Sequence, residues 1–258
     1  SISLTINGLP TAPTVSITPD PSFTSDTLIA NASGATDPEN QTISYSYAWL
    51  LNGSLTSYTA QTLPSSTTNK GELWTVRVTP NDGYGDGPTA EASITIQNSP
   101  PVISSVSVTP STAYNDSTLT CTVVASDADG QSLTTSYIWT NGSSTLGTSQ
   151  TLTLSSSTAS VGNSIVCTAT VTDTSSGSDT ESASRTLSNR SPSLSNVAIS
   201  PSSSVTTSST LTCSGSTSDP DGQSVTKTYL WKKGSTTLGT NSTLTLTPST
   251  IGWKLPPD

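Results

Sequence analysis

The sequence contains no histidine, no methionine and a single phenylalanine among 258 residues, and only 10% of its residues are charged. Without histidine the chain lacks the commonest general base, any Ser-His-Asp or Cys-His arrangement, and the usual ligand of zinc and iron. Paired carboxylates can still serve a glycosidase, but the acids of this chain recur as a framework feature rather than in one cleft. We therefore expect a protein that is not an enzyme.

Positive charge and long hydrophobic runs are also scarce. Basic residues number 8 against 17 acidic ones, which gives a formal net charge of -9 and a sequence pI of about 4.2. This balance argues against nucleic acids and anionic membranes as partners, since both select for lysine and arginine. No run approaches the roughly 18 apolar residues of a membrane-spanning helix. A start methionine and a signal peptide are absent too, so we expect an internal piece of a larger protein.

Hydrophobic residues make up only 30% of the chain, but they recur in an ordered way. Trp49, Trp139 and Trp231 are spaced by 90 and 92 residues, within the similar segments SYAWLLNG, SYIWTNG and TYLWKKG. An acidic turn precedes each tryptophan, with the sequences DPENQ, DADGQ and DPDGQ and the same spacings. Because independent landmarks share one period, the sequence predicts three copies of one unit of about 91 residues.

Within each copy, apolar and polar residues alternate as they do in strands with one buried face. In the second copy Leu119, Cys121 and Val123 share a face, and turn residues such as Asn141-Gly142 separate the strands. Six or seven short strands in about 90 residues, with no helical period, predict an all-β chain of tandem immunoglobulin-like β-sandwich repeats. The expected segments are the last strand of a preceding repeat (1–9), repeat 1 (10–100), repeat 2 (101–191) and repeat 3 (192–258), truncated before its last two strands.

The three cysteines refine this prediction. Cys121, Trp139 and Cys167 follow the order in which an immunoglobulin core places a disulfide across its two sheets against an indole. We therefore expect Cys121 and Cys167 to be bridged in an oxidising compartment, the alternative being two separate buried thiols. Cys213 matches Cys121 in repeat 3, but its partner position falls beyond the sequence, so we expect an unpaired thiol. In repeat 1, Trp74 takes the later cysteine position and can fill the volume of the bridge.

The framework TLTCT, SDADGQSLTTSYIW, TLTL and VCTATVTD resembles the tandem Ig-like repeats of bacterial and archaeal surface proteins. These repeats lie near the polycystic-kidney-disease-type (PKD) and cadherin-like repeats, and the resemblance covers nearly all of the chain, copy by copy. One departure follows the tryptophan, where PKD repeats carry an Asp-Phe-Gly-Asp-Gly-like turn and this chain has LLNG, TNG and KKG. The resemblance implies sandwich repeats on an extracellular surface, and a role inferred from it rests on analogy.

The acidic turns are the most site-like feature of the sequence. Their alternate acids offer hard oxygen ligands, and related cadherin-like repeats carry similar loops at domain junctions, so calcium is a candidate ligand although no cofactor is required. The alternative is an Asx turn between the second and third strands, with Gly130 and Gly222 in the left-handed region. We favour the Asx turn, because each turn offers two acids and Ca²⁺ takes roughly six to eight oxygens. The candidate metal ligands are Asp37, Glu39, Asp127, Asp129, Asp219 and Asp221.

The tryptophans and the asparagines each allow a second interpretation. Exposed indoles can stack on sugars, but indoles at matched strand positions are typical of a core. We therefore expect core positions for Trp49, Trp139, Trp231 and Trp74. Asn-x-Ser/Thr sequons, which make N-glycosylation a further candidate, occur at Asn31, Asn40, Asn52, Asn115, Asn141, Asn189 and Asn241.

Together these features predict an extracellular structural or adhesive stalk, or a segment of a surface filament. Its expected partners are other repeats of the same or neighbouring chains, surface glycans or proteins. The alternatives are an accessory carbohydrate-binding or spacer region of a secreted hydrolase, and an Ig-like decoration of a phage or viral fibre. The short linkers NSPP and NRSP contain proline, which limits bending, so each repeat is expected chiefly to add reach.

Overall fold

The computed structural model describes residues 6–251 and is built almost wholly from β-strands. Serine, threonine and aliphatic residues alternate along these strands, so that hydroxyl groups face solvent and aliphatic side chains face a core. The described part of the chain contains one short α-helix, Pro248–Ile251. No helix in residues 6–251 is long and apolar enough to cross a membrane. The strand expected at 1–9 lies largely outside the described residues, and 6–9 carry no regular structure.

Repeat 1 forms two sheets that share one core. Its strands are β1 (Thr14–Thr18), β2 (Ser22–Phe23), β3 (Leu28–Ser33), β4 (Ser44–Leu51), β5 (Ser54–Leu55), β6 (Thr62–Leu63), β7 (Leu73–Asn81) and β8 (Ala90–Gln97). The smaller sheet has the order β1-β3-β6 and the larger has the order β2-β8-β7-β4-β5. β2 runs parallel to β8, with Ser22 beside Ile96, so the first part of the repeat is bonded to its last strand.

The core of repeat 1 is built around two indoles. Trp49 and Trp74 are both buried and meet edge to face, with ring centroids 6.4 Å apart. Each indole N–H has a partner, since Trp49 donates to the carbonyl of Ala60 at 2.9 Å and Trp74 to Glu72 at 2.9 Å. Buried indoles need such a partner for their polar edge.

The expectation that Trp74 takes the later cysteine position is wrong. Gly71 donates to the carbonyl of Ile96 as Gly162 does to that of Leu187, so the strands align with an offset of 91 residues. The buried Val76 therefore lies at the position of Cys167, and Trp74 lies at that of Ile165.

Repeat 2 has the strand order of an immunoglobulin-like sandwich. Its strands are β9 (Val102–Thr109), β10 (Thr118–Ser126), β11 (Thr134–Asn141), β12 (Ser144–Gly147), β13 (Thr151–Thr153), β14 (Ser164–Thr172) and β15 (Ser178–Thr186). One sheet has the order β13-β10-β9 and the other the order β12-β11-β14-β15. The first, second and fifth strands thus form one layer, and the remaining four form the other, as in the immunoglobulin fold.

A disulfide and an indole occupy the centre of repeat 2. Cys121 on β10 and Cys167 on β14 are joined, which links the two sheets as the Cys–Trp–Cys order predicts. Trp139 is fully buried and donates its indole N–H to the carbonyl of Ser149 at 2.8 Å. The surrounding core consists of aliphatic residues on the inward positions of the strands, among them Leu119 and Ile165.

Repeat 3 contributes fewer strands within the described residues. They are β16 (Ser193–Ser200), β17 (Thr210–Ser218), β18 (Trp231–Lys233), β19 (Thr236–Gly239) and β20 (Thr243–Thr245), in sheets of order β16-β17-β20 and β18-β19. β18 is shorter than its counterpart β11, because β11 is also bonded to β14 and no described strand takes that place in repeat 3. Leu194 is 63% exposed, whereas the equivalent Ile103 of repeat 2 is 8% exposed. Cys213 is a half-buried free thiol.

Two further features relate the copies and divide the chain. A cis peptide bond precedes the proline at the end of the first strand of each repeat, at Thr18-Pro19, Thr109-Pro110 and Ser200-Pro201. The chain forms two compact units, and the division passes through repeat 2. One unit contains the residues up to Ser107 with Thr122–Tyr137 and Thr168–Ala183; the other contains Val108–Cys121, Ile138–Cys167 and the residues from Ser184 onward. Each linker discussed below lies, with its contacts, inside one unit.

Candidate functional site: the linker clamps

Each repeat is preceded by a short linker in which one asparagine recurs. Asn7, Asn98 and Asn189 are spaced by 91 residues, and the residues that follow them are Gly8, Ser99 and Arg190. In each case the linker is hydrogen-bonded to the repeat that comes after it. We call the residues that make these contacts the linker clamp of that repeat. They are the linker asparagine, the residue after it and the acidic turn, and in repeats 1 and 2 also the aspartate that opens the turn between the last two strands.

The acidic turns are Asx turns, as the sequence analysis favoured. In repeat 2, Oδ1 of Asp127 accepts the backbone N–H groups of Asp129 and Gln131 at 2.9 and 3.1 Å. Asp37 and Asp219 accept the corresponding N–H groups at 2.9 Å and at 2.8 to 3.4 Å. The fourth residue of each turn has a positive φ, which is 68° at Gly130. Glycine adopts this conformation without steric cost, and the predicted left-handed position is confirmed.

The second acid of each turn holds the backbone of the linker. Oε2 of Glu39 accepts the N–H of Gly8 at 2.9 Å, and Oδ2 of Asp129 accepts the N–H of Ser99 at 2.7 Å. Asp221 accepts the N–H of Arg190 at 2.5 Å in the same way. A carboxylate that accepts a backbone N–H forms a charge-assisted bond, which is stronger than a neutral one. The same contact is therefore built three times.

The linker asparagine binds a second carboxylate, which sequence reasoning did not single out. Asn98 donates to Asp173 at 2.8 Å, and Asp173 also accepts the backbone N–H groups of Ser175 and Gly177. The Asn98 amide, together with those two N–H groups, holds the pKa of Asp173 below its ordinary value against the opposing effect of burial. Lys70 lowers it further through its charge.

The same contact is present at repeat 1. Asn7 donates to Asp82 at 2.9 Å, and Asp82 accepts the backbone N–H groups of Tyr84 and Gly85 at 2.8 Å. The Asn7 amide is the largest cause that holds the pKa of Asp82 below its ordinary value, opposed by burial and helped by the two backbone groups. Asp82 and Asp173 are 91 residues apart, so the period that located the acidic turns would also have found these aspartates.

The clamp of repeat 2 also touches the end of repeat 1. The hydroxyl of Thr24 donates to Asp129, and the backbone N–H of Thr24 donates to the hydroxyl of Ser99 at 3.3 Å. Lys70 donates to the hydroxyl of Ser175, on the turn that Asp173 opens. The linker is therefore bonded on both sides, and its prolines are not the only restraint on bending.

In the clamp of repeat 3, an arginine makes contacts through its side chain as well as its backbone. The Arg190 guanidinium donates to Asp221 at 2.9 Å and to Asp116 at 3.0 Å, and it lies 4.6 Å from the ring centroid of Tyr114. The bond to Asp116, then that to Asp221, raises the pKa of Arg190. Burial alone would raise the pKa of Asp221, but the backbone N–H and the guanidinium of Arg190 together lower it. Asn115 adds a bond to the carbonyl of Asp221 at 2.8 Å.

The other residues that the sequence predicted as candidate sites occupy positions that explain them without a ligand. Trp231 is 8% exposed, so all three repeat tryptophans are buried and offer no face for stacking on a sugar. Of the sequons, Asn115 is 2% exposed and its amide is engaged in the repeat 3 clamp, so it cannot carry a glycan in this state.

The sheets and the clamps define the class: tandem immunoglobulin-like repeats with structured linkers. No family model and no curated protein matches the sequence. Among solved structures, three N-terminal domains of the bacteriophage RB49 outer capsid protein Hoc are 19% identical with a TM-score of 0.31, over 89% of this chain and 80% of that one. Chicken CNTN1 FN1-FN3 domains are 12% identical with a TM-score of 0.32, over 70% and 69%.

A further similar structure is the N-terminal eight Ig domains of Down Syndrome Cell Adhesion Molecule. It is 12% identical with a TM-score of 0.38, over 93% of this chain and 33% of that one, so this chain matches about a third of its length. The fold rests on the strand order and the core described above.

Proposed function

We propose that this chain is a spacer segment of an extracellular stalk or surface filament, in which Ig-like repeats are joined by clamped rather than free linkers. The observation that carries the proposal is the recurrence of the clamp. The same backbone contact to an acid is made at Gly8, Ser99 and Arg190, and the same asparagine–aspartate bond is made at Asn7 and Asn98. Contacts that recur at each linker would hold neighbouring domains at a constant spacing.

A spacer differs from a flexible tether in the freedom of its linkers. Free linkers between domains allow relative motion by default. In the clamp of repeat 2, Asn98 and Ser99 lose that freedom because side-chain and backbone donors are both engaged by carboxylates of the next repeat. The bonds to Thr24 and Lys70 restrain the same segment from the side of repeat 1. We infer that the linker keeps the distance between neighbouring attachment points nearly constant.

The extracellular setting rests on the disulfide. Cys121 and Cys167 are bridged at the centre of repeat 2, and structural disulfides form and persist in oxidising compartments. A net charge of -9 with abundant serine and threonine suits a hydrated surface. Two alternatives from the sequence analysis remain distinguishable by flanking sequence. A neighbouring catalytic domain would favour an accessory region of a secreted hydrolase, and a neighbouring tail or capsid domain would favour a fibre decoration.

The spacer proposal is tested by measuring how widely the distance across one linker varies. Spin labels are placed at Leu55→Cys in repeat 1 and Ser136→Cys in repeat 2, both exposed positions, in a Cys213→Ser background. Pulsed electron paramagnetic resonance should give a narrow distribution of distances between the two labels. The double variant Asn98→Ala, Asp129→Ala should broaden that distribution severalfold. Asn241→Ala with Asp20→Ala, which removes the same groups outside the linker, should leave it narrow. A broad distribution in the unaltered chain would refute a spacer role.

A further inference from the structure

The two joints between successive repeats are closed by different kinds of contact. We call the contacts between the end of repeat 1 and the clamp of repeat 2 the 1–2 joint, and those between the end of repeat 2 and the clamp of repeat 3 the 2–3 joint. The preceding repeat contributes Thr24 and Lys70 to the 1–2 joint, and Tyr114, Asn115 and Asp116 to the 2–3 joint. Thr24 and Asn115 are 91 residues apart, so the same part of each repeat forms its joint.

In the 1–2 joint, the donors to the shared carboxylate are neutral. Asp129 accepts the hydroxyl of Thr24 and the backbone N–H of Ser99. Lys70 brings a charge, but its bond goes to the neutral hydroxyl of Ser175. In the part of the chain that the structure describes, no ion pair links repeat 1 to repeat 2. Because salt screens the attraction between exposed charges, the contacts of the 1–2 joint should respond little to ionic strength.

In the 2–3 joint, one guanidinium binds carboxylates of both repeats. Arg190 lies 2.8 Å from a carboxylate oxygen of Asp221 in repeat 3 and 3.0 Å from one of Asp116 in repeat 2. It also donates to Oδ1 of Asn115 at 3.2 Å and lies over the ring of Tyr114. Asn115 in turn donates to the carbonyl of Asp221, so the guanidinium also orients this neutral contact.

The two ion pairs of Arg190 differ in their exposure to solvent. The side chain of Asp221 is fully buried, whereas that of Asp116 is 59% exposed and that of Arg190 is 26% exposed. Salt screens exposed pairs and acts much less on buried ones, with a screening length of about 10 Å at about 0.1 M and about 3 Å at about 1 M. Rising salt should therefore weaken the bond to Asp116 first and leave Arg190 attached to repeat 3.

We propose that the Arg190–Asp116 pair is a salt-sensitive latch, which closes the 2–3 joint in dilute solution and releases it at high ionic strength. The inference rests on the proposed spacer function and adds a regulation to it. The buried pair with Asp221 keeps the clamp of repeat 3 closed, so the release concerns the bond to repeat 2 alone. A spacer built in this way bends at one defined joint when the salinity of its surroundings rises.

The test compares the two joints by pulsed electron paramagnetic resonance, each in a full chain with a Cys213→Ser background. Spin labels at Ser144→Cys and Ser235→Cys, which are equivalent exposed positions of repeats 2 and 3, report on the 2–3 joint. Labels at Leu55→Cys and Ser136→Cys report on the 1–2 joint. Between about 0.05 M and about 1 M NaCl, the distance distribution across the 2–3 joint should broaden at least about twofold, and that across the 1–2 joint should stay narrow.

Three variants show whether the latch is the cause. Asp116→Asn removes one charge of the exposed pair, so the distribution across the 2–3 joint should be broad at low salt and should not broaden further. Arg190→Ser, which copies the residue at the same position of the repeat 2 clamp, should do the same. Glu91→Gln is the matched control, because it removes a half-exposed carboxylate paired with Arg77 inside repeat 1, and it should preserve the salt response. Circular dichroism shows whether each variant is folded.

Each failure has a distinct signature. A distribution across the 2–3 joint that is already broad in dilute salt, that stays narrow in about 1 M NaCl, or that the folded Asp116→Asn variant leaves unchanged would overturn the latch. Equal broadening at both joints would overturn it too, since salt would then act on the repeats in general. A broad distribution across the 1–2 joint at low salt would instead contradict the spacer function.

Discussion

Asp82 and Asp173 show how a neutral partner can make a single side chain sensitive to acid. Each is bound by an asparagine amide and by two backbone N–H groups, all of which favour the ionised carboxylate. Protonation would remove the charge that strengthens these bonds and would place a hydrogen on one of the two accepting oxygens. The clamps of repeats 1 and 2 therefore depend on carboxylates that stay charged.

The first prediction is a loss of stability in acid. Because the pKa of Asp173 is lower in the folded chain than its ordinary value of 3.8, the contribution is fully present above about pH 4 and is lost as pH falls towards the folded pKa. Melting temperatures measured from pH 6 to pH 2.5 should fall on the acid side, and Asp173→Asn should flatten that fall. If the exposed Asp20→Asn flattened it as much, the clamp would not be the cause.

A second prediction at this scale concerns the indole of repeat 2. Trp139 is fully buried, so Trp139→Ala should cost about 3–5 kcal/mol, the range for deleting a large buried aromatic side chain. The neighbouring Ile138 is 48% exposed, and Ile138→Ala should change the stability by about 0.5 kcal/mol or less. Chemical denaturation followed by circular dichroism measures both. Equal losses in the two variants would contradict the assignment of Trp139 to the core.

At the scale of elements, the linker of repeat 2 and the turn after β14 are packed tightly against each other. A Cβ atom added to Gly177 would lie 2.9 Å from the Asn98 amide nitrogen and closer still to a carboxylate oxygen of Asp173. Real Cβ atoms do not approach other atoms so closely, and the contacts concern fixed, hydrogen-bonded groups. Glycine is therefore needed at position 177, because a side chain would prevent the turn and the linker from packing this closely.

Gly177→Ala should therefore separate Asn98 from Asp173 and destabilise repeat 2 by about 1–3 kcal/mol, as overpacking of a tight site does. Ser176→Ala, one residue earlier and exposed, adds no atom and should have little effect. Native-state hydrogen exchange of the Ser175 and Gly177 amides should show faster exchange in Gly177→Ala. Unchanged exchange and stability would indicate that the linker is held by Asp129 alone.

The elements differ in how far the sequence predicts them. The tryptophan period and the acidic turns locate the repeats and the Asx turns, because strand alternation and turn chemistry are local signals. The bond from Asn98 to Asp173 joins residues 75 positions apart, and no local pattern indicates such a pair.

At the scale of the whole molecule, the three copies of one unit have different residues at the centre of the sandwich. Repeat 2 has the Cys121–Cys167 disulfide, repeat 1 has the buried Ala30 and Val76 at the same two positions, and repeat 3 has Cys213 as a free thiol. The volume between the sheets must be filled at the density of a packed interior. In repeat 1, Ala30 and Val76 pack in one core with the large indole of Trp74. The copies can therefore share a fold without sharing the residues at its centre.

The fourth prediction follows from this difference. Reduction should lower the stability of repeat 2 by about 2–4 kcal/mol, the usual effect of opening a long disulfide loop, and should leave the unfolding of repeat 1 unchanged. Under non-reducing conditions, alkylation and mass mapping should find one bridge, Cys121–Cys167, and one labelled thiol, Cys213. A bridge from Cys213 to either of the other two would contradict the alignment of the repeats.

Because each linker is bonded forward, to the repeat that comes after it, the module copied by gene duplication should not be the sandwich alone. A duplicated piece that begins at Asn98 carries the donors of its clamp together with their acceptors, Asp129 and Asp173. A piece that contains the sandwich alone, from Pro101 to Ser188, leaves the donors behind and would attach its new copy through an unanchored hinge. Forward anchoring thus lets an array be lengthened one module at a time, with every inserted module bringing its own anchor.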